Sequence, residues 1–184
     1  MTYELRTARL DDEPTLRELI ARSIRALGAS DYSHEQIEAA LRSAFGVDTT
    51  LIRDGTYFVF VSETGQIVAC GGWSRRKTLF GSDARAERDD SWLDPRSEAA
   101  KIRACFVDPD HTRRGLGRAL LERSESAAIA AGFSKLELMA TLPGVRLYEQ
   151  CGYIASDAIQ HPLAPGVTIR FVPMTKQLSH HPSC

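Results

Sequence analysis

The sequence predicts a single α/β domain built on a mixed β-sheet, and three observations carry that prediction. The chain has 184 residues, 43% hydrophobic and 26% charged, which suits one globular domain with a sizeable core and argues against global disorder. Segments with strand periodicity alternate with segments of helical periodicity in the order β-α-α-β-β-β-α-β-α-β-β. A glycine-rich turn, with Gly115 and Gly117, stands between a strand and a helix. There is no internal repeat and no low-complexity segment.

The elements follow in order. Tyr3 to Arg9 alternates polar and apolar residues and reads as the first strand. Asp11 and Asp12 are good N-caps, and Pro14 falls in the first helical turn, where its missing N–H costs little. Leu16, Leu19, Ile20, Ile24 and Leu27 then form one helical stripe, and Gly28 stops it. Ser33-His34-Glu35-Gln36 has the form of a capping box. The second helix it opens has Ile37, Leu41, Ala44 and Phe45 on one side and ends at Gly46.

Tyr57 to Val61 is a continuous apolar run, as in a buried strand, and Ile67 to Trp73 pairs with it across a Glu63–Gln66 turn. Gly71 and Gly72 predict a bulge or a close backbone approach. Residues 75–97 have no clear period, and a loop of this length suits a substrate lid as well as a solvated insertion. Glu98 to Val107 reads as a strand with Ile102, Ala104 and Phe106 on one face. A helix from Gly115 to Ala131 turns Leu116, Leu120, Ala127 and Ala131 inward. Leu136, Leu138 and Ala140 alternate in a further strand, and Pro143 to Gln150 forms a short helix closed by Gly152. Tyr153–Ile159 and Thr168–Met174 are the last two expected strands. The domain is expected to span 1–176, with a tail over 177–184.

Composition narrows the function. A formal net charge of -1 argues against a protein that coats nucleic acid through bulk charge. No apolar run approaches the roughly 20 residues of a membrane helix, and Met1 to Arg6 lacks the apolar core of a signal peptide. Cys70, Cys105, Cys151 and Cys184 form no Cys-x-x-Cys pair, so free thiols in a reducing cytoplasm are expected. His180, His181 and Cys184 read as a frayed terminus, and no metal is expected.

The chemistry concentrates in Asp108-Pro109-Asp110-His111-Thr112-Arg113-Arg114-Gly115-Leu116-Gly117-Arg118. Glycines at a helix start let backbone N–H groups approach an anion, and the helix dipole favours negative charge there. Arg113, Arg114 and Arg118 add formal charge, so a phosphate or pyrophosphate site is predicted. The lysine and Ser/Thr of a P-loop are absent, and Leu120 stands where a dinucleotide fingerprint needs its third glycine.

Arg113-Arg114-Gly115-Leu116-Gly117-Arg118-Ala119-Leu120-Leu121, then Leu136-Glu137-Leu138, then Leu147-Tyr148-Glu149-Gln150-Cys151-Gly152-Tyr153, together resemble the GNAT N-acetyltransferase superfamily. The match is strongest from about Ile102 to Tyr153. It implies a GNAT-like fold, a mostly antiparallel mixed sheet with helices on both faces and a splayed cofactor cleft. It also implies transfer of an acetyl group from acetyl-CoA to a primary amine of a small molecule or peptide, by direct attack in a ternary complex. On this resemblance Cys105, Phe106 and Val107 face the acetyl group and pantetheine arm. Arg113, Arg114, Gly115, Gly117 and Arg118 hold the pyrophosphate, Ala140 and Thr141 flank the arm, and Tyr148 protonates the leaving thiolate. Homodimers are common in the family.

Three positions depart from the family pattern: Thr112 replaces a frequent Gln or Arg, Thr141 a frequent Asn, and Lys101 a glutamate base of some members. The last bears on mechanism. An alkyl amine of pKa about 10.4 is almost wholly protonated at pH 7, and its deprotonation costs about 4–5 kcal/mol. Glu98 and Asp108, at the two ends of one strand, are candidate bases, Glu98 the preferred one. An aromatic amine or hydroxylamine would ease the demand. Trp73 and Trp92 are candidates for the acceptor pocket. Two other readings stay open: a catalytically inactive acetyl-CoA sensor, motivated by Lys101, and an RNA-associated protein using Arg113, Arg114, Arg118 and Arg123, which the near-neutral charge disfavours.

Overall fold

The computed structural model describes residues 2–84 and 88–178; Glu87 and the tail residues His180, His181 and Cys184 lie outside the described residues. Among the described residues are eight strands and five α-helices: β1 (Tyr3–Thr7), α1 (Glu13–Leu27), α2 (His34–Leu41), α3 (Thr49–Arg53), β2 (Tyr57–Ser62), β3 (Ile67–Ser74), β4 (Ala100–Val107), α4 (Leu116–Ala130), β5 (Lys135–Thr141), α5 (Val145–Gln150), β6 (Ile154–Ala155), β7 (Ile159–Ala164) and β8 (Val167–Gln177). They form one mixed sheet of order β1-β2-β3-β4-β5-β8-β6, with β7 also paired to β8. Every pairing is antiparallel except β4 with β5.

That exception shapes the molecule. The parallel ladder holds only two rungs, Ala100↔Leu136 and Lys101↔Glu137. Beyond them β4 and β5 diverge, while β5 stays paired to β8 along its whole length. The Lys101 ammonium donates to the Glu137 carboxylate at the last rung, which ties the two strands where they part.

Each sheet face carries its own core. On one, Leu116, Leu120, Leu121 and Ala128 of α4 pack with Phe58, Trp73, Ile102, Phe133 and Leu138. On the other, Leu16, Ile20 and Ile24 of α1 and Ile37 of α2 pack with Tyr57, Val59, Phe45 and Phe171. The α1 stripe matches the sequence pattern, and Ser33 caps α2 by accepting from the Gln36 amide.

Local chemistry departs from expectation where tertiary contacts take over. Asp12 precedes α1, yet its carboxylate binds the Arg6 guanidinium (2.7 and 2.8 Å) and the Arg9 amide (2.7 Å) instead of capping that helix. Helix α2 stops at Leu41, short of Gly46. Ala44 and Phe45 are buried from a turn closed by the Phe45 amide on the Ala40 carbonyl (2.8 Å), so their apolar character reflects packing, not helical period. The short α3 was not anticipated; Asp48 caps it by accepting from the Thr50 amide at 3.0 Å. On α4, Ala128 is buried, while Ala127 is half-buried and Ala131 is exposed.

The expected strand from Tyr153 to Ile159 is two residues long, and a β7–β8 hairpin turning at Gly166 (φ +76°) follows it. Pro162 disguised β7 in the sequence. It is tolerated because β7 pairs on one side only. β8 runs to Gln177 and Leu178 is still buried, past the expected boundary at 176.

Strand β4 does not keep one face. Ile102 packs in the α4-side core, but Ala104 and Phe106 pack against the opposite one. Ala104 has φ 52°, and the β3–β4 register slips between Cys70 and Gly72. The bulge inserts a residue and flips the alternation. Gly71 permits this approach, since a Cβ there would sit 2.7 Å from the Cys105 sulfur.

Candidate active site

The diverging ends of β4 and β5 open a cleft of about 660 Å³ that passes from the α4 side of the sheet to the α1 side. Residues 102–107 of β4 form one wall, Leu138, Met139 and Thr141 the opposite wall, and the start of α4 together with α5 the floor. Past the last rung, the facing edges of both strands have backbone polar groups without a mutual ladder, so a bound chain can satisfy them.

The start of α4 presents a helix N-terminus to open space. Asp108 is buried and holds the preceding turn by accepting from the Asp110 amide at 2.9 Å. Arg113 (φ 60°) and Gly115 (φ 80°) both adopt left-handed backbone, which curls the chain into the helix. A Cβ on Gly115 would meet nothing within 4 Å, so the space before the helix is open. The first helical turn carries no acidic residue, and its unpaired amides and dipole face that space with Arg118 beside them. Arg113, Gly115, Gly117 and Arg118 line the cleft; Arg114 does not, and its guanidinium points back to the Asp110 carbonyl at 3.5 Å. These features fit a pyrophosphate with an extended arm.

Tyr148 of α5 reaches the cleft beside β4, where the Cys105 thiol donates to the Arg103 carbonyl at 3.7 Å. Burial pushes the Tyr148 pKa well above its ordinary value and the Cys105 thiol up to about 11. Both hold their protons at neutral pH. A Cβ on Gly144 would lie 3.2 Å from the Tyr148 ring, so glycine there gives the ring its seat.

The remaining sequence candidates divide. Cys105, Phe106, Val107 and Thr141 line the cleft, whereas Ala140 points into the α4-side core and its neighbour Met139 lines the wall instead. Glu98 is outside the cleft: it lies before β4, where its carboxylate accepts from the Asp94 amide at 2.7 Å. Asp108 faces a separate polar groove with Arg22 and Asp110. Trp73 is buried on β3 against Phe133, and Trp92 is 54% exposed under the guanidinium groups of Arg75 and Arg76; neither lines the cleft. Among the described residues, no aspartate or glutamate lines it.

Sequence reading missed the residues that close the α1 end. Ile24, Leu27, Phe45, Phe80, Met139 and Phe171 converge there from five segments distant in the chain. It also missed Arg103, which is buried at 3% exposure. Arg103 donates to Asp48 (2.7 Å), to the Thr78 carbonyl (2.7 Å) and to the Gly81 carbonyl (2.9 Å), pinning the segment that carries Phe80. A lone arginine in a strand surrounded by apolar residues was the available signal, since buried charges require partners.

Comparison with known proteins agrees with this geometry. Residues 16–153 match the model of the acetyltransferase (GNAT) family. A GCN5-related N-acetyltransferase from Rhodopseudomonas palustris superposes with a TM-score of 0.70 at 21% identity, covering 97% of each chain. The PaiA N-acetyltransferase of Thermoplasma acidophilum, solved with coenzyme A, gives 0.65 at 16% identity over 96% of this chain and 99% of that one. YncA of Salmonella typhimurium, a putative acetyltransferase solved with acetyl-CoA, gives 0.61 at 15% identity over 100% and 98%. No curated protein matches the chain significantly.

Proposed function

For a chain that belongs to the GNAT acetyltransferase family, we propose acetyl transfer from acetyl-CoA to the primary amine of a small molecule or peptide, both bound together in the cleft. The observation that carries this reading is the alignment, in one opening, of an anion-binding helix start, a split sheet and a protonated tyrosine.

The amides from Arg113 to the first turn of α4 would hold the pyrophosphate, with Arg113 and Arg118 supplying charge. The free edges of β4 and β5 would accept the pantetheine arm and orient it. Bound acetyl-CoA supplies the activated acetyl group. Backbone N–H groups of Cys105 to Val107 are the nearest candidates to stabilise charge developing on the acetyl oxygen. Tyr148, protonated at neutral pH, holds the proton that the departing sulfur needs. With no carboxylate in the cleft among the described residues, the nitrogen gives up its proton to solvent or to His111, which lines the cleft, or arrives already neutral. Cys70, Cys105 and Cys151 are free, which suits a reducing compartment.

Titration of acetyl-CoA into the wild type and Gly117→Glu tests the donor site. A Cβ at 117 would lie 3.1 Å from the flexible end of Leu147, a contact that can relax, so the variant mainly brings a carboxylate to the phosphate site. Wild-type binding lost in the variant is expected. Absent wild-type binding in a folded sample refutes the reading. Tyr148→Phe should lower kcat by roughly 10–10³-fold and leave acetyl-CoA affinity unchanged; unchanged turnover removes the assigned role. The lack of a cleft carboxylate also favours a second reading, a CoA-binding regulatory module. Tight acetyl-CoA binding without transfer to any amine would select it.

A further inference from the structure

Resting on the acetyltransferase reading, we infer that the acceptor is a small aromatic amine, carrying its nitrogen on or next to the ring and no second positive charge. The observation is a connected aromatic wall at the α1 end of the cleft. Phe45 meets Phe106 edge to face at 6.3 Å and Phe171 at 5.9 Å, and Phe80 meets Phe171 at 5.5 Å. All four phenylalanines line the opening. They come from a turn after α2, the long loop, β4 and β8, so the wall is assembled by the tertiary fold and not by one element.

The wall is held in place. Arg103 fixes the carbonyls of Thr78 and Gly81 on either side of Phe80, and His161 of β7 packs edge to face on the outer side of Phe80 at 4.9 Å. Within the wall, Phe45 and Phe171 are buried at 7% and 2% exposure, so half-buried Phe80 and Phe106 present the surface that takes a ring in offset or edge-to-face contact. The charge around it points the same way. A polyamine or amino sugar needs carboxylates to replace the water around its extra cations, and none lines this cleft among the described residues. A nitrogen borne on the ring also arrives neutral at pH 7, whereas one next to the ring must still lose a proton before it attacks. The cleft of about 660 Å³ must hold the cofactor arm as well, which leaves room for a single-ring acceptor and not a folded polymer.

The test uses the whole chain and begins with acetyl-CoA binding, so that failure of the donor site is seen by itself. Steady-state acetylation is then compared for aniline and benzylamine against putrescine and ethanolamine. Ring amines should have kcat/KM at least about tenfold higher, the range expected for burying a ring. Phe80→Ala should lower kcat/KM for the ring amines by about 10- to 100-fold, leave the acetyl-CoA dissociation constant unchanged, and narrow the gap to ethanolamine. Phe80→Leu should restore part of the loss. Binding of benzylamine to the CoA-saturated protein, read by calorimetry, covers the case of slow chemistry. If acetyl-CoA binds but putrescine or ethanolamine is used as well as the ring amines, the inference is overturned and the acetyltransferase reading stands. If no ring amine is either acetylated or bound, it is overturned too.

Discussion

Replacing Asp48 by Asn probes the buried charge network behind the acceptor wall. The Asp48 side chain is 0% exposed and faces Arg103 at 2% and Arg88 at 14%. It accepts from Arg103 at 2.7 Å, from Arg88 at 2.9 and 3.0 Å, and from the Thr50 amide that starts α3. Asn keeps an oxygen for the cap and for one guanidinium, so the change removes mainly the negative charge. Arg103 then sits in a low-dielectric region without a counter-charge, while Arg88 keeps Asp83 at 3.7 Å and Asp90 at 3.4 Å. Breaking one side of such a buried pair costs about 3–5 kcal/mol, and the retained hydrogen bonds place this case near 3. For a chain of this length each kcal/mol lowers Tm by about 2–4 °C, so calorimetry at pH 7 should read a drop of roughly 6–12 °C. Asp48→Ala should lose about 1 kcal/mol more with the cap. Because Arg103 then holds Thr78 and Gly81 less firmly, KM for the acceptor should rise while acetyl-CoA affinity stays unchanged. A fall in Tm smaller than about 2 °C would refute the claim that this carboxylate neutralises the buried arginines.

Two further outcomes follow from local geometry. Arg113 holds left-handed backbone at φ 60°, so Arg113→Gly should raise stability by about 0.5–1 kcal/mol in urea melts and weaken acetyl-CoA binding; a destabilised variant would show that the side chain, not the turn, carries the contact energy. The Arg6 guanidinium holds the Asp12 carboxyl below its ordinary value of 3.8. A lowered carboxylate contributes stability above its unfolded pKa and loses it as pH falls through the folded one. The Tm gap between the wild type and Asp12→Asn should therefore be constant above about pH 5 and close below 3.8; a gap that persists at lower pH would mean the pair is not what is lost.

Much of this protein was legible in its residues because the relevant signals are local. The amphipathic stripe of α1, the Ser33 capping box, the β2–β3 hairpin and the turn from Arg113 to Gly117 each depend on side chains a few positions apart. The Arg113–Leu121 and Leu147–Tyr153 segments are each local too, and together they carried the family resemblance. Other features had no local signal. The β4 bulge at Ala104 depends on Gly71 approaching Cys105 across the sheet, so a face assignment by simple alternation failed there. Glu98 carries the right chemistry for a base, but its distance from the cleft is set by where β4 begins. Trp73 and Trp92 suited a binding pocket by residue type; packing buried one and left the other on the surface.

The sequence by itself determined most of the elements and the glycine turn at the start of α4, but not α3 or β7, because hydrogen-bond periodicity and glycine conformations act over a few residues. Only the tertiary structure decided the aromatic end of the cleft. Phe45, Phe80, Phe106 and Phe171 meet because a two-rung parallel ladder lets the sheet split, and because buried Arg103 and Asp48 neutralise one another while fixing the loop. Those contacts join residues far apart in the chain, and their cost in buried charge and chain entropy is met only once the whole sheet has formed.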